Sequence, residues 1–310
     1  MGEYTFLFGP VPSRRLGLSL GVDVTPYKTC SQDCVYCQLG RTPRTTITRR
    51  EYVPVKDVTD EIETWLKMDG KADYITLSGS GEPTLHACFG DILAFLRRKC
   101  SIQTVLLTNG SLFYLPEVRK EAARAHIVKV SLSAWDQVSY NWINRPHRDL
   151  EFNRIIEGLK VFRGTFKGRF WIEVFLVAGM NTVSSDVVEI ASLLDRIGPD
   201  RIHLNTAVRP PAEDFVAPVS RDRMASLANL FHPRAEVIEH YKNTGGVAIQ
   251  ANEASIYSML CRRPCTAETV ADAFGMHFNE VSKYLGNLLR HDRIRIKRIN
   301  RDIYYQAVNR

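Results

Sequence analysis

Three cysteines dominate the chemistry this chain can offer. Cys30, Cys34 and Cys37 share one run, Cys-Ser-Gln-Asp-Cys-Val-Tyr-Cys, while Cys88, Cys100, Cys261 and Cys265 are scattered. An odd total of seven in an intracellular-looking chain is not a disulfide framework. Three thiolates this close point to metal. Structural zinc takes four ligands, usually in two paired clusters, and no His or Cys offers an obvious fourth. Thiolates also hold iron–sulfur clusters, and three on a short loop can bind three irons of a cubane while leaving the fourth open. An open iron is a place where a reaction can start.

The elements that must position this loop follow from the hydrophobic pattern. Between about residue 18 and residue 205, short β-branched runs alternate with longer amphipathic stretches, the signature of βα units. The expected strands are 18–24, 74–78, 104–108, 127–133, 170–177 and 201–205, and the helices between them 58–68, 91–99, 116–125, 152–162 and 187–197. Six such units predict an α/β fold, a partial (β/α)6 TIM-like barrel over residues 1–250. An open doubly wound sheet is the competing geometry. In either, chemistry gathers at the carboxyl ends of the strands. Those positions read Ser78-Gly79-Ser80-Gly81-Glu82, Thr108-Asn109-Gly110, Ser131-Leu132-Ser133 and Asn205-Thr206, polar at four matching places.

With these residues in view, Cys30-x-x-x-Cys34-x-Tyr36-Cys37 resembles the signature of the radical S-adenosylmethionine (SAM) superfamily. The resemblance implies a [4Fe–4S] cluster on the three cysteines, SAM as cofactor, and Tyr36 near the adenine. Ser80-Gly81-Glu82-Pro83 resembles the Gly-Gly-Glu element that binds the SAM amino group, with Ser80 replacing the first glycine. A buried Glu82 also makes sense opposite a cationic amine. Ser131 and Ser133 resemble a ribose-binding element, and Asn109 and Asn205 are further candidates for the SAM pocket. The segments Phe8-Gly9-Pro10, Val22-Asp23, Asn144-Arg145-Pro146-His147, Trp171-Ile172-Glu173 and Arg209-Pro210-Pro211 are similar to Fe–S oxidoreductases related to wyosine-tRNA synthases. That group implies reductive cleavage of SAM to a 5′-deoxyadenosyl radical that acts on a substrate.

Arg14, Arg15, Arg145, His147 and Arg209 are the candidates to face that substrate, since Arg suits planar recognition of carboxylate or phosphate. The competing reading pairs them with acids such as Glu173 or Glu213. No residue is singled out as a catalytic proton or hydrogen donor. Cys88 and Cys100 flank a helix and read as small buried hydrophobes. Cys261-x-x-x-Cys265 lacks neighbouring ligands for a second cluster.

Net charge is +7, and residues 261–310 carry ten Lys/Arg against five Asp/Glu. There Thr266 caps a helix to Phe274, Gly275 breaks the chain, Asn279 caps a second helix to His291, and a basic hairpin follows. This predicts a winged helix-turn-helix over residues 251–310, with Arg293, Arg295, Lys297, Arg298 and Arg301 on its wing, open to nucleic acid or a peptide. A low-potential donor such as flavodoxin or ferredoxin is the expected electron source. No apolar stretch is long enough for a spanning helix and the first residues lack a leader pattern, so no membrane and a cytoplasmic location are expected. Two other functions compete: radical SAM modification of tRNA or another nucleic acid, and a DNA-binding regulator that senses redox state through its cluster.

Overall fold

The computed structural model describes residues 4–13, 16–238, 252–299 and 302–308. Arg14, Arg15 and Arg301 lie outside these, as does the expected domain boundary at 250.

Strands β1 (Leu7–Ser13) and β2 (Gly17–Val22) pair antiparallel. Then come α1 (Val55–Lys67), β3 (Tyr74–Leu77), α2 (Phe89–Lys99), β4 (Gln103–Thr108), α3 (Pro116–Ala122), β5 (Ile127–Ser131), α4 (Gln137–Ile143), α5 (Phe152–Thr165), β6 (Arg169–Leu176), α6 (Ser184–Ile197), β7 (Arg201–Thr206), α7 (Arg221–Ala228) and β8 (Glu236–Val237). The sheet has eight strands in sequence order, parallel from β2 onward. This mixed α/β sheet fits a partial barrel; it is not the 2-1-3-4-5 or 3-2-1-4-5-6 order of a doubly wound sheet. All six expected strands are present.

The sequence pattern explains which way the sheet faces. Leu20 and Val22, Ile75 and Leu77, Val128 and Val130, and Ile172 and Val174 are fully buried. They belong to one apolar core with Ile92, Leu93 and Leu96 of α2 and Val187, Ile190 and Leu194 of α6. The alternate positions, Ser19, Thr76, Lys129, Ser131 and Glu173, line a cavity on the opposite face. Period-two alternation thus separates an apolar outer face under the helices from a polar inner face.

Two elements depart from expectation. Strand β1, which is not among the expected strands, includes Gly9, Pro10 and Pro12, and it sits at the sheet edge, where proline costs no ladder bond. Helix α4 is short and is held by Asp136, whose side chain accepts from Ser139 N at 2.7 Å.

The C-terminal unit comprises α8 (Glu253–Arg262), α9 (Ala267–Phe274), α10 (Phe278–Arg290) and the antiparallel pair β9 (Ile294–Ile299) and β10 (Asp302–Ala307). It has its own core of Ile256, Leu260, Val270, Phe274, Val281, Leu285 and Leu288. Thr266 caps α9, and Gly275 ends it with φ of 62°. His277, not Asn279, caps α10: its Nδ1 accepts from Asn279 N at 3.3 Å. Cys265 belongs to this apolar core and pairs with the backbone of Tyr305, so it does not face a cluster site.

This unit reaches the barrel on two sides. Arg262 of α8 stands 4.6 Å over the Phe8 ring of β1 and 4.0 Å from Asp23 at the end of β2. Tyr304 donates to Val208 O at 3.2 Å and Lys297 meets Asp214 at 3.2 Å, both in the chain following β7.

Candidate functional site

The cysteine loop leaves the carboxyl end of β2 and is fixed by the protein itself. Val35 is fully buried against Ile143, Val177 and Met180, which anchors the loop between Cys34 and Tyr36. Its backbone N–H donates to Ile143 O at 3.0 Å, Asp33 N to Asn144 O at 3.0 Å, and Thr46 N to Cys30 O at 2.9 Å. Ser31 and Ser111 hydroxyls meet at 2.7 Å. These contacts hold the three cysteines at the end of β2.

Cys30, Cys34 and Cys37 all line the cavity. Each sulfur has a nitrogen donor: Asn109 Nδ2 at 3.6 Å from Cys30, Asn144 Nδ2 at 3.3 Å from Cys34, and Lys28 Nζ at 3.3 Å from Cys37. Such donors favour sulfur carrying negative charge. Burial, with repulsion from Glu82 and Cys34 behind it, raises the Cys30 thiol strongly. Burial and the neighbouring Cys37 push Cys34 up to about 12. Cys30 and Cys34 are thereby favoured as thiols, and bound iron would displace their protons. Among the described residues no three His, Cys, Asp or Glu side chains gather as a site for one metal ion. Three sulfurs with separate donors suit the separate irons of a cluster better than a single zinc.

Glu82 follows β3 on the same cavity and is 2% exposed. Its Oε1 accepts from Thr84 N at 3.0 Å and from the Thr84 and Thr108 hydroxyls, both at 2.6 Å. Its Oε2 accepts from Asn109 N at 2.7 Å. All four donors are neutral, and burial raises the carboxyl above its usual range against their pull. A buried carboxylate fixed by neutral dipoles is complementary to an incoming ammonium.

The glycines beside it are sterically required. A Cβ on Gly79, where φ is 148°, would fall 2.1 Å from Asp23 Oδ1, and one on Gly81 would fall 2.0 Å from Thr29 O. Ser80 needs no such space, because its hydroxyl turns to Asp23 at 2.6 Å and its N–H donates there too. Its side chain is spent on Asp23 and does not line the cavity.

Tyr36 stacks on Phe175 with centroids 4.2 Å apart, and its hydroxyl accepts from Asn144 Nδ2 at 3.1 Å. Ser133 lies beneath them: its Oγ accepts from Phe175 N at 2.9 Å, and it is buried rather than on the cavity wall. Ser131, Asn109 and Asn205 do line the cavity.

The substrate candidates divide. Arg209 lines the cavity, with Nη1 3.3 Å from Gln38 Oε1. Arg145 instead pairs with Glu213, which also takes Arg41, and His147 stands 3.6 Å from Asp149; neither lines the cavity. The acid-pairing reading holds for Arg145. Lys129 and Glu173 on the inner face form an ion pair at 2.5 Å. Cys88 and Cys100 are half-buried beside α2, less enclosed than a core residue.

Several residues of the site are not singled out by the sequence. Lys28 stands just ahead of the cysteine motif, and Asn144 belongs to the segment Asn144-Arg145-Pro146-His147, in which only Arg145 and His147 are candidates. Met259, Arg262 and Arg263 enter the cavity from α8, a contribution visible only after folding.

With this geometry in hand, comparison with known proteins is direct. Residues 24–194 match the radical SAM superfamily. The chain belongs to that superfamily, an enzyme class whose members use a [4Fe–4S] cluster and S-adenosylmethionine, and within it to the UPF0026 proteins. A UPF0026 protein of Methanocaldococcus jannaschii is 36% identical over 230 residues, covering 74% of this chain and 71% of the relative. A Brachyspira hyodysenteriae protein named GTPase Obg is 33% identical over 307 residues, 98% of this chain; the chain spans only 45% of that relative. The present sequence has no Gly-x-x-x-x-Gly-Lys-Ser/Thr phosphate loop. The structure of TYW1 with a lysine-pyruvate adduct bound superposes with a TM-score of 0.54 at 18% identity, covering 74% of this chain and 76% of that one. That likeness is one of fold. No helix among the described residues is long and apolar enough to cross a membrane.

Proposed function

We propose that this radical SAM enzyme holds its cluster through Cys30, Cys34 and Cys37 and binds SAM with its amino group at Glu82 and its adenine beside Tyr36. The observation that carries the reading is the convergence on one cavity of three separately donated sulfurs and a buried carboxylate that has no cation beside it among the described residues. The cluster, when bound, supplies the electron that splits the SAM sulfonium into methionine and a 5′-deoxyadenosyl radical.

The chain's own residues bind, orient and exclude water. Glu82 would orient the amino acid end of SAM, and Thr84, Thr108 and Asn109 hold its carboxylate in place. Gly79 and Gly81 let the backbone approach the ligand closely. The Tyr36–Phe175 stack offers a flat apolar wall, which Ser133 and Asn144 fix. The deep polar wall of Lys129 and Glu173 is left for substrate. We assign the reducing electron to an external low-potential donor of the flavodoxin or ferredoxin kind.

We infer a winged-helix arrangement for α8 to β10, from the order of three helices and a hairpin. Of its wing cations, Arg293 stands 3.9 Å over Tyr257 and Lys297 meets Asp214, while Arg295 and Arg298 are exposed. A DNA-binding regulator has no use for Glu82 or the glycines around it, and the enzyme reading is favoured.

The test is electron paramagnetic resonance of the anaerobically reconstituted, dithionite-reduced protein. The spectrum should shift on adding SAM, as an open iron requires; a cluster signal indifferent to SAM would refute the assignment.

A further inference from the structure

Arg262 is poorly satisfied for a guanidinium set into a cavity wall. Among the described residues its Nε is buried without a hydrogen-bond partner, its Nη1 reaches only Ser258 O of its own helix at 3.4 Å, and its Nη2 stands 4.0 Å from Asp23 Oδ2. Asp23 already accepts from Ser80 N, Ser80 Oγ and Thr25 N, and the Phe8 ring covers one face of the guanidinium. Arg263 lines the same cavity with no side-chain partner among the described residues. The acids on the cavity are engaged: Glu82 by four neutral donors, Glu173 by Lys129. A buried guanidinium nitrogen with no acceptor is costly, and the fork is the shape that takes an oxyanion through two parallel bonds.

We propose that Arg262 and Arg263, with Arg209 from the chain after β7, bind an oxyanion of the substrate, a carboxylate or a phosphate, so that the C-terminal unit supplies part of the substrate site. This rests on the enzyme reading above and names its substrate class. The three arginines lie outside residues 24–194, the part shared with the superfamily, whereas Tyr36, Glu82 and Asn109 lie inside it. Residues inside that shared span suit the common cofactor, and arginines beyond it suit what the chain acts on. Their position also gives the C-terminal unit a task that needs no nucleic acid.

The experiment uses the full chain with its cluster reconstituted and SAM present. Inorganic phosphate and acetate are titrated separately against chloride at matched ionic strength, and binding is read by calorimetry and by thermal unfolding. Saturable binding of one probe is expected, weakened roughly tenfold or more in Arg262→Gln and Arg263→Gln, as loss of a charge-assisted bond implies, with SAM affinity unchanged. Tighter phosphate identifies a phosphorylated substrate, tighter acetate a carboxylate. Should Arg262→Gln fail to fold, Arg262→Lys keeps the charge but not the fork and should also lose the probe. No response beyond chloride, or variants that bind as the wild type does, overturns the proposal. So does a loss of SAM affinity in Arg262→Gln, which would place that residue on the SAM carboxylate. Wild-type protein that binds the probe but never cleaves SAM would overturn the enzyme reading alone.

Discussion

Replacing Glu82 by Gln keeps the side-chain shape and removes the charge, which makes it the sharpest probe of the SAM pocket. The amide oxygen can stay at the Oε1 position, where three donors converge, while the new NH2 takes the Oε2 position against Asn109 N, now 2.7 Å away. That donor-to-donor contact costs about 1–3 kcal/mol of folding. It is offset because a neutral amide escapes the burial penalty that raises the Glu82 carboxyl. Stability should therefore change little. Binding has no such offset: losing a charged hydrogen bond to an ammonium costs about 1.5–3 kcal/mol, roughly 10- to 150-fold in SAM affinity. Equilibrium dialysis of SAM against reconstituted protein measures this, with iron and sulfide per chain as the control. Affinity within about threefold of wild type, a difference under 1 kcal/mol, would remove Glu82 from the pocket. Loss of iron would instead mean that Glu82 scaffolds the Cys30 loop.

Three further outcomes follow from the geometry. Gly81→Ala forces a Cβ to within 2.0 Å of Thr29 O, so the loop must move; SAM affinity should fall by roughly tenfold or more, with a lowered unfolding temperature, because backbone cannot yield as a flexible side chain does. Asp23 titrates above its ordinary value of 3.8, chiefly through burial and despite Ser80 and Arg262. Between 3.8 and that raised value the folded state binds more protons than the unfolded one, so this group's contribution to stability falls as pH rises through the window. Urea midpoints should show a shallower decline over that window in Asp23→Asn than in the wild type, and parallel curves would exclude the effect. Arg145→Met should leave SAM affinity intact and lower stability by about 1 kcal/mol, since it removes one of the two guanidinium partners of Glu213 and a 3.9 Å contact to Asp33; a SAM-binding defect would return Arg145 to the site.

How much of this was legible in the sequence depends on how local each signal is. The strands and the cysteine loop rest on patterns within a dozen residues, and they are where the sequence places them. The inner-face residues Thr76 and Lys129 obey the same period-two alternation that marks the strands, yet they lie away from the strand ends where chemistry is expected, whereas Glu173 on that face belongs to a recognisable segment. Edge strand β1 is hidden by Gly9, Pro10 and Pro12, which a central strand would not tolerate. Ser80 is a candidate through the Gly-Gly-Glu resemblance and Ser133 through the ribose-binding one, but Asp23 engages the hydroxyl of the first and the backbone of β6 that of the second. Arg262 was illegible because its setting combines β1, β2 and a helix more than two hundred residues away.

The most direct measurement of the central claim is 5′-deoxyadenosine formed from SAM by the anaerobically reconstituted, dithionite-reduced protein, compared with Cys34→Ala. The account predicts product from the wild type and none above background from the folded variant. Equal product from both, or a reconstituted wild-type cluster that never cleaves SAM, would contradict it.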